Sequence, residues 1–323
     1  MWRKILTTVL PLTIAVAIIA YMLVPIWTDL VEALQTAVPA HFVVAVAVCV
    51  VAWILRGWRY RLILNGLGVQ PTLGFATACI FVSQTVNLVV PARLGDLVRV
   101  FILKHQFETT YSQGLSSIVV ERVYDIVTVA LLGLVSIPFF LEFPPEYYAL
   151  IVVPLVGGAL FVVLLLVVGR IRSRNRLVLA ILQMLDEIRT VSLSLRAMVV
   201  LGGVSILIWL VDITVCIFVV LMFQAPLDVA SVALAIVIGN LVKAVPITPG
   251  GLGTYEFTVA AILERGGIPH VAATLIAFID HLIKNMVTLV GGVVSIFVFG
   301  DWMVGVIRKV YESRVLKGGS LGD

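Results

Sequence analysis

The chain has 323 residues, of which 61% are hydrophobic and 12% charged, and its mean hydropathy is +1.16. Soluble domains carry about 25% charged residues, so this composition excludes a soluble domain and predicts an integral membrane protein. The net charge of +4 does not indicate nucleic-acid binding, because most basic residues fall in short loops. Three dispersed cysteines, Cys49, Cys79 and Cys216, are too few for a disulfide framework or a metal site. We expect no cofactor and no metal.

The first half of the chain, about 1–145, predicts three membrane-spanning helices and one broken helix pair. Each span is long enough for a hydrocarbon core of about 30 Å. The spans are expected at about 5–27, which is retained rather than cleaved, at 40–57 and at 112–141. The broken pair covers 71–90 and 95–105, with the break at 91–95. A loop is expected at 28–38, and the arginines and aromatic residues of 56–61 are typical of a cytoplasmic collar.

The second half, about 146–323, repeats this plan. Spans are expected at about 147–169, 197–223 and 270–299. The second broken pair covers 228–264, with its break at 246–253. Residues 176–192 show the spacing of an amphipathic surface helix, and a basic tail follows the last span.

The two breaks resemble each other. Each has an Asn, then Pro-x-x-Leu-Gly and a carboxylate, and Pro91 and Pro249 are 158 positions apart, as are Gly95 and Gly253. Charged pairs at i, i+4 follow in long apolar helices: Glu121 and Asp125 in the first half, Asp280 and Lys284 in the second, both offset by 159. This repetition predicts a duplication of the kind found in transporters with discontinuous helices.

The helix after the first break has only about 11 residues, or roughly 16 Å at 1.5 Å per residue. That length does not cross a bilayer, so the two arms of each pair must fold back as a re-entrant hairpin. Irregular backbone at membrane depth needs protein or a water-filled cavity around it. The expected fold is an all-α polytopic membrane protein of two inverted repeats in one domain spanning 1–323, each with three transmembrane helices and one hairpin, and with a polar cavity between the hairpins.

The distribution of basic residues predicts the orientation. With the N-terminus in the cytoplasm, 16 Lys and Arg residues fall in cytoplasmic segments and only Arg265 falls outside. This is the bias that the positive-inside rule describes. We therefore expect a multi-pass protein of the cell membrane with both termini cytoplasmic. The first hairpin would open from the cytoplasm and the second from outside.

Eleven charged residues are expected at or near membrane depth, where each is costly unless it is paired or functional. The cations are Arg93, Arg99, Arg122, Lys243 and Lys284. The acids are Asp96, Glu121, Asp125, Asp212, Glu256 and Asp280. One interpretation is that they form ion pairs between broken helices, for instance between Arg122 and Asp125. The other, which we favour for Arg93 and Arg99, is that they bind a phosphate at the N-terminus of the helix that starts near Gly95.

Other residues of the breaks invite two interpretations. Pro91, Gly95, Pro249, Gly250, Gly251 and Gly253 break the helices, and the glycines also allow close approach of backbone. Asn87, Asn240 and Asn285 are expected to satisfy backbone groups at the breaks. His281 is either a hydrogen-bonded structural residue or a proton carrier. Tyr255 and Trp209 are expected to pack.

The sequence contains no motif of a catalytic site. It has no Walker loop, no Gly-x-Ser-x-Gly elbow and no metal-ligand spacing. Glu142 and Glu146 resemble part of an acidic metal site in a membrane glycosyltransferase, but they lack a third carboxylate. We therefore expect the protein not to be an enzyme.

Three motifs carry a resemblance to a known family. Pro-Ala-Arg-Leu-Gly-Asp (91–96), Glu-Arg-Val-Tyr-Asp (121–125) and Pro-Gly-Gly-Leu-Gly-Thr-Tyr-Glu (249–256) resemble the transmembrane flippase domain of lysylphosphatidylglycerol synthases, as in the multiple peptide resistance factor. The resemblance covers nearly the whole chain. It implies translocation of aminoacylated phosphatidylglycerol, whereas other relatives are associated with polyprenyl-linked sugars. Asp96 stands where the family often has Glu, and the synthase domain does not follow, so we do not expect synthase activity.

Three functions remain open from the sequence. The first is a flippase that moves an anionic or aminoacylated phospholipid, or a polyprenyl-phosphate-linked headgroup, between leaflets through a charged central cavity. Its binding residues would be Arg93, Asp96, Arg99, Glu121, Arg122, Asp125, Lys243, Glu256, Asp280 and Lys284. The second is a membrane scaffold that presents a lipid-linked substrate to a partner synthase or glycosyltransferase. The third is a secondary transporter of small solutes.

Overall fold

A computed structural model describes residues 2–89, 94–139, 147–171, 174–245, 247–300, 302 and 305, without the side chains of 2–12 and 298. Most of these residues are helical, and no β-strand occurs among them. The first-half helices are α1 (Trp2–Leu23), α2 (Trp27–Gln35), α3 (Pro39–Gly66), α4 (Leu73–Val89), α5 (Gly95–Phe107) and α6 (Tyr111–Ser136). The second-half helices are α7 (Tyr148–Val168), α8 (Arg176–Ser192), α9 (Leu195–Met222), α10 (Val229–Ala244), α11 (Thr254–Arg265) and α12 (His270–Phe299). Short 3₁₀ helices lie at Val24–Ile26, Ile137–Phe139 and Pro249–Gly251.

The prediction of an all-α polytopic membrane protein is confirmed. Within the described ranges, five segments are long and apolar enough to cross a membrane. They are Thr13–Gln35, Pro39–Gly66, Tyr148–Val168, Leu195–Met222 and His270–Phe297. The sixth expected span, α6, has 26 residues but carries three charged residues, Glu121, Arg122 and Asp125, and does not belong to that apolar set.

Helix boundaries agree with the predicted ones except at the loop expected at 28–38 and at the end of α3, which was expected at 57 and lies at Gly66. The bounds of α8 and α12 coincide with the predicted 176–192 and 270–299. The predicted loop at 28–38 is wrong, since α2 is a helix of nine residues. Asp29 lies in its first turn, where the helix dipole favours a carboxylate, and Leu30 is buried. Both features stabilise a helix where charge alone suggested a loop.

The two halves show matching elements at nearly the same offset. Helices α3 and α9 each have 28 residues. Helix α5 starts at 95 and α11 at 254, while α6 starts at 111 and α12 at 270. This order supports the duplication. The opposite membrane orientation of the two halves stays a prediction.

The chain forms two compact units. Unit 1 comprises residues 1–52, 123–162 and 202–287, and unit 2 comprises 53–122, 163–201 and 288–323. The boundaries between units fall inside α3, α6, α7, α9 and α12. Unit 2 contains the first broken pair, α4 and α5, whereas unit 1 contains the second, α10 and α11.

In unit 2, α4 and α5 fold back on each other. Near the start of α4, Phe75 lies edge-on to Phe107 at the end of α5, with ring centroids 5.1 Å apart. At the opposite ends, the Gly95 N–H donates to Asn87 Oδ1 at 2.8 Å. Contacts at both ends show an antiparallel hairpin whose outer ends lie on the same side, as the sequence predicted.

In unit 1, α10 and α11 make the equivalent hairpin. Ser231 near the start of α10 would lie 2.5 Å from a Cβ atom added at Gly266, just beyond α11. At the break, a Cβ atom added at Gly251 would lie 2.7 Å from Lys243. The helices are therefore antiparallel and closely packed.

Helix α8 is attached to α6 by one carboxylate. Glu187 Oε2 accepts hydrogen bonds from Ser112 Oγ and Ser116 Oγ, both at 2.8 Å. Ser116 Oγ also lies within 3.3 Å of the Met184 carbonyl oxygen. The N-terminal part of α8 leaves Leu177 and Ile181 exposed, as expected of an amphipathic surface helix.

Candidate functional site

The first candidate site is a group of buried charges in unit 2, which we call the arginine cluster. Its members are Arg59, Asp96, Arg99, Glu121 and Arg122. Arg122 donates to both carboxylate oxygens of Asp96, at 2.9 and 2.7 Å. Because Asp96 lies in the first turn of α5 and Arg122 lies on α6, this ion pair joins the hairpin to the long helix beside it.

Arg99 is the buried centre of this cluster. Its side chain has no exposed surface, and it donates to Glu121 and, at 3.3 Å, to Asp96. Its guanidinium group lies 4.9 Å from the ring centroid of Tyr60, a cation–π geometry. Arg59, also buried, lies 3.8 Å from Glu121. Glu121 therefore bridges α3, α5 and α6.

Close packing of α4 and α5 positions Asp96. A Cβ atom added at Gly95 would lie 2.1 Å from the Ser83 carbonyl oxygen, so only glycine permits this approach. Asp96 then accepts from Ser83 Oγ at 3.1 Å and from Asn87 Nδ2 at 3.0 Å. The expectation that Asn87 satisfies backbone at the break is confirmed by its bond with the Gly95 N–H.

The second candidate site lies in unit 1, and we call it the lysine–histidine cluster. Its members are Asp212, Lys243, Tyr255, Glu256, Asp280, His281 and Lys284. Lys284 Nζ lies 3.1 Å from Asp212 Oδ2 and 2.9 Å from Asp280 Oδ2. Asp280 also accepts the Tyr255 hydroxyl at 2.7 Å. Lys284 thus joins α9 to α12, and Tyr255 adds α11.

A chain of three side chains runs through the same cluster. Lys243 Nζ lies 2.9 Å from His281 Nε2, and His281 Nδ1 lies 2.7 Å from Glu256 Oε1. An ammonium group only donates, so Nε2 accepts from Lys243 and the Nδ1–H donates to Glu256. The other oxygen of Glu256 accepts the Gly253 N–H at 2.7 Å and thereby caps α11.

The clusters carry opposite excess charge. The arginine cluster has three guanidinium groups and two carboxylates, so it has one positive charge in excess. With His281 neutral, the lysine–histidine cluster has two ammonium groups and three carboxylates, so it has one negative charge in excess. The first favours an anion, whereas the second needs a further positive charge to hold one.

A profile of the lysylphosphatidylglycerol synthase TM region matches residues 12–292 of the chain. The chain belongs to this family. The match includes both hairpins and every member of the two clusters, so the resemblance of the three motifs is confirmed.

Curated relatives of this family member are archaeal. The chain is 32% identical to glycosyltransferase AglD of Haloferax volcanii over 89% of its length, which corresponds to 53% of that protein. It is 25% identical to a UPF0104 membrane protein of Methanocaldococcus jannaschii, over 69% of this chain and 94% of the relative. A UPF0104 membrane protein of Methanothermobacter thermautotrophicus is 22% identical over 85% of this chain and 88% of its own length. The chain therefore spans about half of AglD.

The structure brings together most of the predicted site residues within each unit. Asp96, Arg99, Glu121 and Arg122 meet in unit 2. Lys243, Glu256, Asp280, His281 and Lys284 meet in unit 1, with the break residues Pro249, Gly250, Gly251 and Gly253 leading into α11. Asp125 belongs to unit 1, and Arg122 pairs with Asp96. Pro91, Arg93, Glu142 and Glu146 lie outside the described residues.

Sequence reasoning missed two members of the clusters, Arg59 and Tyr255, and one neighbour, Tyr60. Arg59 was predicted to lie in a cytoplasmic collar, and its burial was not foreseen: α3 continues to Gly66 and buries Arg59. Tyr60 follows it in the same apparent collar. Tyr255 was expected only to pack, yet its hydroxyl binds Asp280. A signal was available for Tyr255, because it lies next to the capping residue Glu256.

Unit 1 also contains an apolar cleft beside the second hairpin. Its volume is about 470 Å³, and it is lined by residues of α1, α10 and α11, among them Ile18, Val242, Phe257 and Thr258. Thr258 Oγ donates to the Thr254 carbonyl oxygen of its own helix. The threonine hydroxyl is thus satisfied, so the cleft suits hydrocarbon rather than a polar solute.

The chemistry of these groups is that of charge recognition. Across the described ranges, no group of three or more His, Cys, Asp or Glu side chains is arranged to hold a metal ion. The guanidinium and ammonium groups suit phosphate, and the carboxylates suit an amine.

Proposed function

We propose that the protein moves a phosphate-bearing lipid headgroup from one leaflet of the membrane to the other, while the hydrocarbon chains stay in lipid. The proposal is based on the arginine cluster. Buried charge at a broken helix pair costs several kcal/mol. An excess of guanidinium groups there suits the binding of an anion, which would offset their charge. Membership of the family supports the proposal.

Arg122 is the residue that first contacts the phosphate. A quarter of its side-chain surface is exposed, whereas Arg99 has none. In the empty protein, Asp96 satisfies Arg122, and the incoming phosphate replaces Asp96 as its partner. Arg99 and Glu121 hold the surrounding helices in place, and Arg93 adds a further cation at the break.

The lysine–histidine cluster serves the same headgroup in unit 1. Lys243 and Lys284 bind its phosphate. When the cluster is empty, Asp280 pairs with Lys284 and Glu256 with His281, and both carboxylates can bind an amine of an aminoacylated headgroup. Asp125 adds a carboxylate on α6. Alternating access would follow from rocking of the repeats. We also propose that the protein itself catalyses no covalent step.

The test is lipid movement in liposomes, measured by quenching of a fluorescently labelled phosphatidylglycerol and of a labelled polyprenyl phosphate. Arg122→Ala should slow movement at least about tenfold, because a hydrogen bond to a charged group contributes about 1.5–3 kcal/mol. The rate of lipid movement with Arg122→Lys should lie between those of the unmodified protein and Arg122→Ala, because lysine keeps the charge but lacks the planar fork of arginine.

Arg189→Ala is the matched control. Arg189 forms an exposed i, i+3 pair with Asp186 on α8 at 3.7 Å, and its removal should leave movement unchanged. Equal rates for the Arg122 and Arg189 variants would remove Arg122 from the proposal. A wild-type protein that moves neither lipid would refute the flippase function.

A second candidate function is a scaffold that presents a lipid-linked substrate to a glycosyltransferase. It is favoured by the similarity of nearly the whole chain to about half of glycosyltransferase AglD. This function predicts no movement of lipid by the purified protein, together with glycosyl transfer by a partner that depends on the presence of this chain.

A further inference from the structure

Three elements present charged or titratable groups to the ring of His281. Lys243 on α10 reaches Nε2 at 2.9 Å, and Glu256 on α11 reaches Nδ1 at 2.7 Å. The ring of Tyr255, also on α11, lies 4.5 Å away between centroids. Asp280 and Lys284 flank it on α12, and Lys284 leads to Asp212 on α9.

An anion that binds here alone worsens an existing imbalance. The cluster already holds one carboxylate more than it has ammonium groups. His281, Glu256 and Asp280 are almost wholly buried, and uncompensated charge in such a site is strongly unfavourable. One proton added to the cluster would offset the charge of a singly charged phosphate ester.

The imidazole of His281 is placed to take that proton. Nε2 is occupied only as an acceptor from Lys243, whereas the other side of the ring already faces a carboxylate. When Lys243 turns to a phosphate, Nε2 loses the repulsion of the ammonium group. An imidazolium at this position would keep its ion pair with Glu256 and donate from Nε2.

We infer that an anionic lipid headgroup and one proton bind the lysine–histidine cluster together, with Lys243 passing from His281 Nε2 to the phosphate. The proton comes from water as hydronium, an N–H bond forms at Nε2, and the reverse occurs when the headgroup leaves. This inference rests on the proposed function and gives it a driving force, because a pH difference across the membrane then acts on lipid movement.

The arginine cluster provides no equivalent step. Guanidinium groups stay protonated in proteins, and the described part of that cluster contains no histidine or lysine. An anion that binds there replaces Asp96 as the partner of Arg122. Proton uptake is therefore specific to the second cluster.

Isothermal titration calorimetry of the purified full chain tests the inference. Titration in two buffers of different ionisation enthalpy gives the number of protons taken up per anion bound. The probes are dihexanoyl-phosphatidylglycerol, geranyl phosphate and inorganic phosphate, which distinguish a phospholipid, a prenyl phosphate and free phosphate. We expect about one proton per anion, and affinity about tenfold tighter for each unit of lower pH while His281 is neutral in the free protein.

Two variants and one control complete the experiment. His281→Gln and Lys243→Gln should each bind without proton uptake, and size-exclusion chromatography checks that they are folded. His270→Gln is the matched control, because His270 also pairs with a carboxylate, Glu264, at 3.0 Å but is exposed. It should keep the uptake of the unmodified protein.

Binding of a probe without proton uptake, or unchanged uptake by His281→Gln, would overturn the inference and leave the flippase function standing. No binding of any probe would refute both.

Discussion

The two clusters occupy matching places in the duplicated sequence but use different cations. Glu121 and Arg122 lie 159 positions before Asp280 and His281. In unit 2 the cations are guanidinium groups, which are planar and permanently charged. In unit 1 they are ammonium groups beside an imidazole, a side chain that can gain or lose a proton. The comparison shows one broken helix pair beside permanently charged cations and another beside a titratable ring, and the proposed proton uptake depends on this difference.

The largest effect is expected from removing the fixed charge. Arg99→Ala leaves Glu121 and Asp96 without a buried partner that contacts both. The loss should lower the free energy of unfolding by about 3–5 kcal/mol. Unfolding in mixed micelles, titrated with dodecyl sulfate and followed by tryptophan fluorescence, measures it.

Arg189→Ala is again the control, with an expected change within about 0.5 kcal/mol. Equal stabilities of the two variants would mean that the arginine cluster is not a tightly coupled buried network.

The next largest loss of stability is expected from substituting the two matching glycines, Gly95 and Gly253. Gly95→Ala brings a Cβ atom 2.1 Å from the Ser83 carbonyl oxygen, so α4 and α5 must separate at a cost of about 1–3 kcal/mol. Gly253 has φ +81°, so Gly253→Ala is destabilising through backbone strain of about 1–2 kcal/mol. The same unfolding titration compares them.

Gly74→Ala is the control within α4, because nothing lies within 4 Å of the added atom. It should be neutral or slightly stabilising, by up to about 1 kcal/mol. If Gly95→Ala changes the free energy of unfolding no more than Gly74→Ala does, α4 and α5 do not approach each other as closely as the structure shows.

The last comparison concerns the two buried tyrosines, each of which has a cation over its ring. Tyr255→Phe removes the donor to Asp280 and should cost about 1.5–3 kcal/mol, as expected for hydrogen bonds to charged groups. Tyr60→Phe removes only a 3.3 Å contact with Ser117 and should cost about 0.5–1.5 kcal/mol. A larger loss for Tyr60→Phe in thermal unfolding would contradict the assignment of Tyr255 to a charge network.

Local sequence signals predicted much of this structure. Apolar stretches gave the spans, and the Pro and Gly residues placed both breaks. The length of α5 required the chain to fold back. Intramembrane charge identified Asp96, Arg99, Glu121 and Arg122 before any contact was visible, because such residues need a physical reason to be there.

Partners distant in sequence were not predictable in the same way. Arg59 sits in a run of arginine and aromatic residues that is typical of a membrane surface, and this run does not indicate its burial beside Glu121 on α6. The pairing of Lys284 with Asp212 likewise depends on how α9 packs against α12. Composition shows that a charge is costly, whereas three-dimensional packing decides which group neutralises it.

The attachment of α8 has a practical consequence. Glu187 connects this helix to Ser112 and Ser116 of α6, two to three turns before Arg122. A displacement of α6 when a headgroup binds would therefore be transmitted to α8, whose outer face is exposed. A fluorophore coupled to a cysteine at position 181 would give an optical signal of headgroup capture without any labelled lipid.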